Sequence, residues 1–375
     1  MPSSYSLLGS GGPCAGHYHP YDEAKDEVLL LLPSGEAEAF MLTRPKTVGE
    51  HDPVADAVLA VAAIAGMPEA PKALFAEDEA FQALLARAQR KLDPVLARNL
   101  VQAFNDKMVA ARAAGAWAQP GTDPLSPQLT AHLWKQAYDR VVDDPESLNR
   151  YRSFSKEVYG ETCHPLVTEV LERVGAKRKQ LFVDFGMGIG NVVFQAAAQT
   201  HCNVIGIELL DTPYNYAVKL LAELEGRVAA YRRTMGRVRL FHGDFLRLPQ
   251  VAAIINSIDV VFVNNYAFEA ETNTALVHLF ISLKSNARVV SFKAFAAHKN
   301  RLTEHNADDP AAIFHVAKHT YLRTDGVSWA ETQMDYFIHT VDRTRLRSLK
   351  EATSSSTGTA NGAGSRKRKA DGELR

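Results

Sequence analysis

The sequence predicts an α/β fold in which helices cover a mostly parallel sheet. Three observations predict it. A short apolar run at 181–185 ends in a glycine-rich turn, and an apolar helical run follows at 192–198. Further strand-like runs alternate with helical stretches, which is the order of a doubly wound sheet. The glycine-rich turn would then present backbone amides and a helix N-terminus to a bound nucleotide.

The strands of this sheet are predicted from short apolar runs rich in Val, Ile and Phe. They are expected at residues 181–185, 203–208, 237–242, 258–263 and 287–292, with late strands near 313–323 and 333–341. Helices are expected between the earlier strands. The pattern therefore predicts a mostly parallel sheet of seven strands.

The remainder of the chain divides by composition. Residues 1–20 are rich in Ser, Gly, Pro and His and are predicted to be a flexible N-terminus. Residues 21–127 are predicted to be a mainly helical region, with one or two short strands at 21–47 and helical periodicity at 51–118. After the Pro- and Gly-rich break at 119–127 comes a helix at 131–142. The sheet domain is expected at 128–350, and 351–375 reads as a disordered tail with a basic cluster.

Composition excludes several classes of protein. The net charge of −1 offers no global basic field for nucleic acid, so such contacts need local patches. The three cysteines form no CxxC pair, which argues against a disulfide framework and a thiolate zinc site, and we predict no metal. The apolar run at 28–32 is too short to cross a bilayer, and no secretory signal is evident. We expect a soluble intracellular protein.

The spacing of the glycines discriminates among cofactors. Gly186, Gly188 and Gly190 stand at every second position, whereas the dinucleotide fingerprint places glycines at relative positions one, three and six. With Asp184 before it, the run resembles the first motif of class I, Rossmann-like methyltransferases that use S-adenosylmethionine (SAM). An NAD site is the less favoured alternative. Glu208 ends the second strand eighteen positions beyond Gly190, where an acid can accept both hydroxyls of a ribose.

Eight short motifs stand in a fixed order along residues 130–347. They are Asp144-Pro-Glu-Ser-Leu-Asn149, Phe154-Ser-Lys-Glu157, Val158-Tyr-Gly-Glu-Thr162, Gly243-Asp-Phe-Leu246, Val261-Phe-Val-Asn-Asn-Tyr-Ala-Phe268, Arg288-Val-Val-Ser291, Val327-Ser-Trp329 and His339-Thr-Val-Asp-Arg-Thr344. In order and spacing, these motifs resemble the catalytic domain of the disruptor-of-telomeric-silencing (Dot-type) histone methyltransferases. The resemblance covers roughly residues 130–347 and implies a non-SET enzyme that methylates a lysine in the globular core of histone H3.

The resemblance also implies where SAM binds. Tyr159 and Thr162 lie on a loop that contacts the methionine part of SAM in such enzymes. Asp244 and Phe245 follow the third strand, where a carboxylate can accept from the adenine amino group while the ring packs on the base. The full predicted cofactor site is Tyr159, Thr162, Asp184, Gly186, Gly188, Gly190, Asn191, Glu208, Asp244, Phe245 and Asn264.

The methyl-accepting side is predicted at the end of the fourth strand. Asn264 and Asn265 lie there, at the edge where open α/β sheets bind ligands and where amino-group methyltransferases meet the target nitrogen. The predicted catalytic residues are Asn264, Phe262, Tyr266, Phe268 and Tyr336, the four aromatics walling a narrow channel. Such a channel suits lysine, because removal of an ammonium group from water beside a sulfonium lowers its pKa. Ordinary core packing is the alternative for each aromatic.

One residue of the glycine loop departs from the family pattern. Met187 stands in the glycine loop where a small residue is usual, and would weaken SAM binding if its side chain pointed at the ligand.

The expected partner is histone H3 within nucleosomes, and the basic run Arg366–Lys369 suggests nuclear import, a non-specific DNA contact, or both. The alternatives are methylation of another protein lysine or a nucleic-acid base, and a catalytically dead chromatin-binding relative. The expected location is the nucleus, without membrane contact.

Overall fold

A seven-stranded sheet forms the centre of the computed structural model, which describes residues 21–22, 26–43, 45, 51–148, 162–296, 309–323 and 333–344. Numbered along the chain after three N-terminal strands, its strands are β4 (Leu181–Phe185), β5 (Asn203–Glu208), β6 (Val238–His242), β7 (Val260–Val263), β8 (Arg288–Ser291), β9 (Phe314–Tyr321) and β10 (Met334–Val341). In the sheet they lie in the order β6-β5-β4-β7-β8-β10-β9. All pairings are parallel except those of β10, which runs antiparallel to both β8 and β9.

These strands confirm the predicted α/β fold with a mostly parallel sheet of seven strands. The bounds of β4 and β5 agree with the prediction, and the other strands end within two residues of it. The central strands are buried on both faces: β7 is wholly buried, and β5 is buried from its second residue. This explains why they read as continuous apolar runs rather than as alternating ones.

Helices cover both faces of the sheet. On one face, α5 (His164–Arg173) and α6 (Asn191–Thr200) pack over Phe182, Val260 and Val290. The other face packs against the short α8 (Pro249–Ile254) and α9 (Ala270–Phe280). A long helix, α7 (Asp211–Ala230), follows β5. No helix within the described ranges is long and apolar enough to cross a bilayer.

The N-terminal region contains three strands and three helices. The strands β1 (Tyr21–Asp22), β2 (Glu27–Leu31) and β3 (Ala37–Met41) form an antiparallel sheet, where the sequence predicted one or two. The helices α1 (Pro53–Ala65), α2 (Glu79–Lys91) and α3 (Pro94–Ala113) fill the predicted helical stretch.

The next helix, α4 (Pro127–Val141), begins four residues earlier than the predicted start at 131. The side chain of Ser126 caps it by accepting from the Leu129 amide at 3.2 Å, and Pro127 occupies the first turn. Both are ordinary helix-start signals. The prediction missed them because the Pro-rich run was read as a break.

The N-terminal region and the sheet domain share one apolar core. Residues of β2, α1 and α3 belong to the same buried cluster as Phe194 of α6 and Leu220 of α7. A buried polar network crosses this contact. Glu38 accepts from Arg140 at 2.6 Å and from Arg227 at 3.0 Å, and Arg227 also donates to Gln136 at 2.9 Å. Because buried charges are costly without such partners, the network fixes β3 and α4 against α7.

The segment between α3 and α4 is bound to the sheet domain by arginines. Arg178, Arg232 and Arg233 donate to carbonyl oxygens within residues 117–124. The Gly121 amide also donates to the Arg232 carbonyl at 2.8 Å. The Pro- and Gly-rich run predicted as a break is thus an ordered strap between the two parts of the chain.

Candidate functional site

A cavity of about 360 Å³ opens at the carboxyl ends of β4, β5, β6 and β7. This is the edge at which open α/β sheets bind their ligands. The described residues that line it are Thr162, Asp184, Gly186, Met187, Gly188, Asn191, Val192, Glu208, Leu209, Leu210, Pro213, Asp244, Phe245, Leu246, Phe262, Asn264, Ala267, Phe268, Glu269 and Thr272.

The charge of this wall is entirely acidic. Asp184, Glu208, Asp244 and Glu269 line it, and its described lining residues include no Lys, Arg or His. Among the described lining residues, a pyrophosphate would meet four carboxyl groups and no cation. A cationic ligand with a ribose would instead meet carboxylates suited to both features. The wall therefore disfavours a dinucleotide and favours a cationic nucleoside.

The glycine loop follows β4 and is held by backbone hydrogen bonds. The amides of Gly186 and Met187 donate to the Ile207 carbonyl at 2.9 and 3.0 Å, and the Gly190 amide donates to the Met187 carbonyl at 3.0 Å. Gly186 has a φ of +83°, a backbone conformation that is unfavourable for any residue with a Cβ atom. Gly190 caps the start of α6 and is absent from the lining residues, unlike Gly186 and Gly188.

Met187 points into the protein core. Its side chain is 3% exposed, and its sulfur lies 2.2 Å from where a Cβ on Gly206 would stand. Gly206 of β5 thus leaves the space that the Met187 side chain fills. The expectation that Met187 would oppose the cofactor depended on a side chain aimed at the ligand. The packing against Gly206 holds the side chain in the core, although Met187 is also one of the residues that line the cavity.

Glu208 fixes the loop at the end of β5. Its two carboxylate oxygens accept from the amides of Gly188 and Leu210, both at 2.8 Å, and the residue is 7% exposed. Both bonds are of the charge-assisted kind, which is stronger than a neutral hydrogen bond. The carboxylate is therefore held in one orientation while lining the cavity, as a ribose-binding acid requires.

Asp184 lies at the end of β4 and is 2% exposed. Burial, reinforced by the nearby carboxylate of Glu208, raises the pKa of Asp184 well above its usual value. A cation placed beside the two groups would offset both causes. The pair is thus suited to a positively charged ligand.

Asp244 and Phe245 stand at the end of β6. The Asp244 side chain accepts from the Leu246 amide at 2.9 Å, so it stabilises the turn before α8 as well as lining the cavity. The Phe245 ring lies between two others, with centroids 5.2 Å from Phe185 and 6.1 Å from Phe268. The predicted partners for adenine are therefore both present on the wall.

Thr162 reaches the cavity from the segment before α5. Its carbonyl accepts from the Asn191 side chain at 2.7 Å, and the residue is 3% exposed. Asn191 thus positions Thr162 and also lines the cavity itself. Tyr159, the other residue predicted on this loop, lies outside the described residues.

The two asparagines that follow β7 have different surroundings. Asn264 lines the cavity, whereas Asn265 is 0% exposed and is bonded to the end of β8 and to α9. Phe262 lines the cavity, and the Phe292 ring packs against it edge-on, with the ring centroids 6.1 Å apart. Phe268 lines it as well. The sequence located both asparagines there without distinguishing their roles.

Two of the four predicted channel aromatics lie elsewhere. Tyr266 is 49% exposed beside Lys293, whose ammonium lies 5.8 Å from the ring centroid. Tyr336 is 0% exposed, and its hydroxyl donates to Glu169 at 2.8 Å. Its neighbour Phe337 packs in the cluster that contains Phe245 and Phe268. Tyr336 belongs to the same buried cluster as Phe262, but it is not among the described residues that line the cavity, because its hydroxyl is bound to Glu169 of α5.

Sequence reasoning missed part of the cavity wall. Leu209 and Leu210 follow Glu208 directly, so their position in the chain signalled them. Glu269 and Thr272 lie at the start of α9, and only the return of this helix to the sheet edge brings them to the cavity. The remaining unpredicted wall residues, apart from Met187, are Val192, Pro213, Leu246 and Ala267.

Comparison with known proteins agrees with this geometry. Residues 138–341 match the family model of the histone methylation protein DOT1. The chain is 30% identical over 345 residues to a "Histone-lysine N-methyltransferase, H3 lysine-79 specific" of Yarrowia lipolytica, covering 88% of this chain and 70% of the relative. The protein of the same description from Drosophila melanogaster is 37% identical over 221 residues, covering 59% of this chain and 12% of the relative.

A third relative of the same description, from Aspergillus fumigatus, is 28% identical over 333 residues, covering 87% of this chain and 66% of the relative. The chain thus spans about two thirds of the length of the fungal relatives and a small part of the Drosophila one. With the Yarrowia and Aspergillus proteins, the similarity extends beyond residues 138–341 into the N-terminal region.

Proposed function

Because the chain belongs to the DOT1 family of histone methylation proteins, we propose that it transfers a methyl group from SAM to the ε-amine of a lysine in the globular core of histone H3. The relatives are named for lysine 79 of that histone, and we propose the same target here. The observation that carries the proposal is the acidic cavity with Asn264 and three aromatic rings on its wall.

The residues of the cavity fit SAM. Glu208 presents a fixed carboxylate for the ribose hydroxyls, and Asp244 with Phe245 suits the adenine. Asp184 suits an ammonium group, since a cation would stabilise its ionised form. At Gly186 a backbone without a Cβ leaves room beside Phe268, whose ring would be 3.9 Å from that atom. SAM bound there would supply the methyl group on a sulfonium, which is a good leaving group.

The chain's own contribution is positioning and desolvation of the lysine amine. A lysine of ordinary pKa near 10.4 must lose a proton, which costs about 4 to 5 kcal/mol at neutral pH. The rings of Phe262 and Phe268 exclude water from this part of the cavity, and an apolar surrounding lowers the pKa of an amine. The Asn264 side chain can orient the amine for in-line attack, and orientation of this kind accounts for large rate factors.

We further propose that the chain acts on nucleosomes in the nucleus. The lysine named by the relatives belongs to a histone, which in chromatin is wrapped by DNA. The sequence carries a run of four basic residues, Arg366–Lys369, which suits a non-specific contact with phosphates or nuclear import.

The test is methyl transfer from radiolabelled SAM to intact nucleosomes, free histone octamers and naked DNA. We expect label on histone H3 in nucleosomes. The label should be absent when lysine 79 of H3 is replaced by arginine, or when the enzyme carries Gly186→Arg. Label on DNA, or on H3 that lacks this lysine, would contradict the proposed substrate.

A further inference from the structure

Asn265 uses its whole side-chain amide within the protein. Its oxygen accepts from the amides of Phe292 at 3.0 Å and Lys293 at 2.8 Å, directly after β8. Its nitrogen donates to the Lys293 carbonyl at 3.0 Å and to the side-chain oxygen of Asn273 at 2.8 Å. With two acceptor and two donor sites filled and 0% exposure, Asn265 cannot meet a substrate.

Asn273 continues this chain of hydrogen bonds. Lying in the first turn of α9, it accepts from Asn265 and donates to the carbonyls of Phe268 at 3.1 Å and Glu269 at 2.9 Å. The two side chains therefore connect the end of β8 to the backbone of Phe268. We call this pair, Asn265 and Asn273, the amide relay.

Phe268 is where the relay meets the cavity. Its ring lies 6.1 Å from that of Phe245, on the side predicted for adenine. The same ring approaches to 3.9 Å of the position that a Cβ on Gly186 would take. Phe268 thus touches both the adenine side and the glycine loop. A shift of its backbone would move a wall that both share.

We propose that Asn273, held by Asn265, is a positioning residue that sets the place of Phe268 in the cofactor cavity. The inference rests on the proposed function, because it takes the cavity as a SAM site. The relay acts through Phe268 and does not touch SAM. The asparagine amide suits position 273 because it can accept from Asn265 and donate to the carbonyl of Phe268 at once. A carboxylate can only accept.

Asn273→Asp separates positioning from folding. The carboxylate keeps the acceptor for Asn265, and a negative charge in the first turn of a helix is favourable, so α9 remains stable. It cannot donate to Phe268, whose carbonyl it would repel. We expect the Kd of S-adenosylhomocysteine, measured by calorimetry, to rise about tenfold with an unchanged melting temperature. In turnover, the KM for SAM should rise.

A double-mutant cycle with Phe268→Ala decides whether the effect passes through that ring. If it does, Asn273→Asp has little further effect in the Phe268→Ala background, so the double variant binds S-adenosylhomocysteine about as weakly as Phe268→Ala alone. The matched control is Thr274→Ala on the same helix, where the exposed hydroxyl donates only to the Ala270 carbonyl at 2.9 Å. The control should bind S-adenosylhomocysteine like the wild type.

The proposed role of the amide relay would be overturned if Asn273→Asp bound S-adenosylhomocysteine as tightly as the wild type. It would also be overturned if the two substitutions raised the Kd independently, so that their factors multiplied in the double variant. Because S-adenosylhomocysteine binding needs no histone, the cycle can be read independently of methyl transfer. A wild-type chain that binds this ligand but leaves nucleosomes unlabelled would contradict the proposed substrate alone, and the cycle would still decide the relay.

Discussion

The two halves of the cavity are built in different ways. The cofactor half consists of the glycine loop and Glu208, and it is held by backbone amides within twenty-two residues of chain, as in the bond from Gly188 to Glu208. The acceptor half consists of Asn264, Phe262 and Phe268. It is held by side chains distant in sequence, such as the bond from Lys293 to Asn265, twenty-eight residues away. The first half therefore depends on the pairing of β4 with β5, and the second on how β7, β8 and α9 come together.

The largest expected effect concerns the cofactor half. In Gly186→Arg, a side chain is forced onto a residue with φ of +83° at the cavity wall. Strain and filling of the cavity should weaken S-adenosylhomocysteine binding about 100-fold or more. The control is Gly115→Arg, since Gly115 has a φ of +87° and no atom within 4 Å of its would-be Cβ. If the two variants bound the ligand equally well, backbone strain and not the cavity would explain any loss.

The next prediction concerns the acceptor half. Asn264→Ala should lower kcat for nucleosome methylation about 100-fold, because a misoriented amine loses the advantage of in-line placement. The affinity for S-adenosylhomocysteine should fall by a smaller factor than kcat, since Glu208 and the amides of the glycine loop keep their own hydrogen bonds. Calorimetry and single-turnover kinetics measure the two quantities separately. Equal losses in both would show that the halves are not independent.

A third prediction returns to the cofactor half. Glu208→Gln replaces one acceptor oxygen by a donor, which must then face the amide of Gly188 or Leu210. We expect S-adenosylhomocysteine to bind about 20-fold more weakly, as for loss of a charged hydrogen bond. Glu225→Gln, on the exposed side of α7, is the control. Unchanged affinity in Glu208→Gln would refute the role of this carboxylate.

The smallest effect concerns a histidine behind the acceptor half. His339 is buried, accepts from the Phe295 amide at 3.0 Å and contacts the Val289 carbonyl at 3.2 Å. Burial lowers the pKa of His339 to about 4. An unfolded histidine titrates near 6.5, so as the pH falls below that value the unfolded chain takes up a proton first, and stability is lost.

Between pH 7 and pH 5, His339 should therefore account for about 2 kcal/mol of lost unfolding free energy. In His339→Gln, whose amide does not titrate, the loss over this range should be smaller by that amount. Urea unfolding at the two pH values measures it. An equal pH dependence in both proteins would show that the fold does not lower the pKa of His339.

The sequence predicted the cofactor half better than the acceptor half. The glycine spacing, Asp184 and Glu208 were enough to locate the loop, because a strand followed by glycines and a helix has few conformations. Gly190, predicted with the cofactor residues, lies at the start of α6 and not among the residues that line the cavity. In the acceptor half, the aromatics of the Asn-Asn-Tyr-Ala-Phe run were treated alike, yet Tyr266 is half exposed and lies off the wall. Tyr336 likewise lies off the wall, since its hydroxyl is bound to Glu169 in the core beside Phe262.

By itself, the sequence determined the α/β class, the positions of the strands, the motifs of the family and the acids at the strand ends. These follow from apolar periodicity and from short-range backbone geometry, which are written in consecutive residues. Only the tertiary structure decided that Met187 packs on Gly206, that Asn265 faces inward while Asn264 lines the cavity, and that the N-terminal region shares a core with α6 and α7. Those outcomes depend on which side chains meet across distant elements, and local propensity does not contain that information.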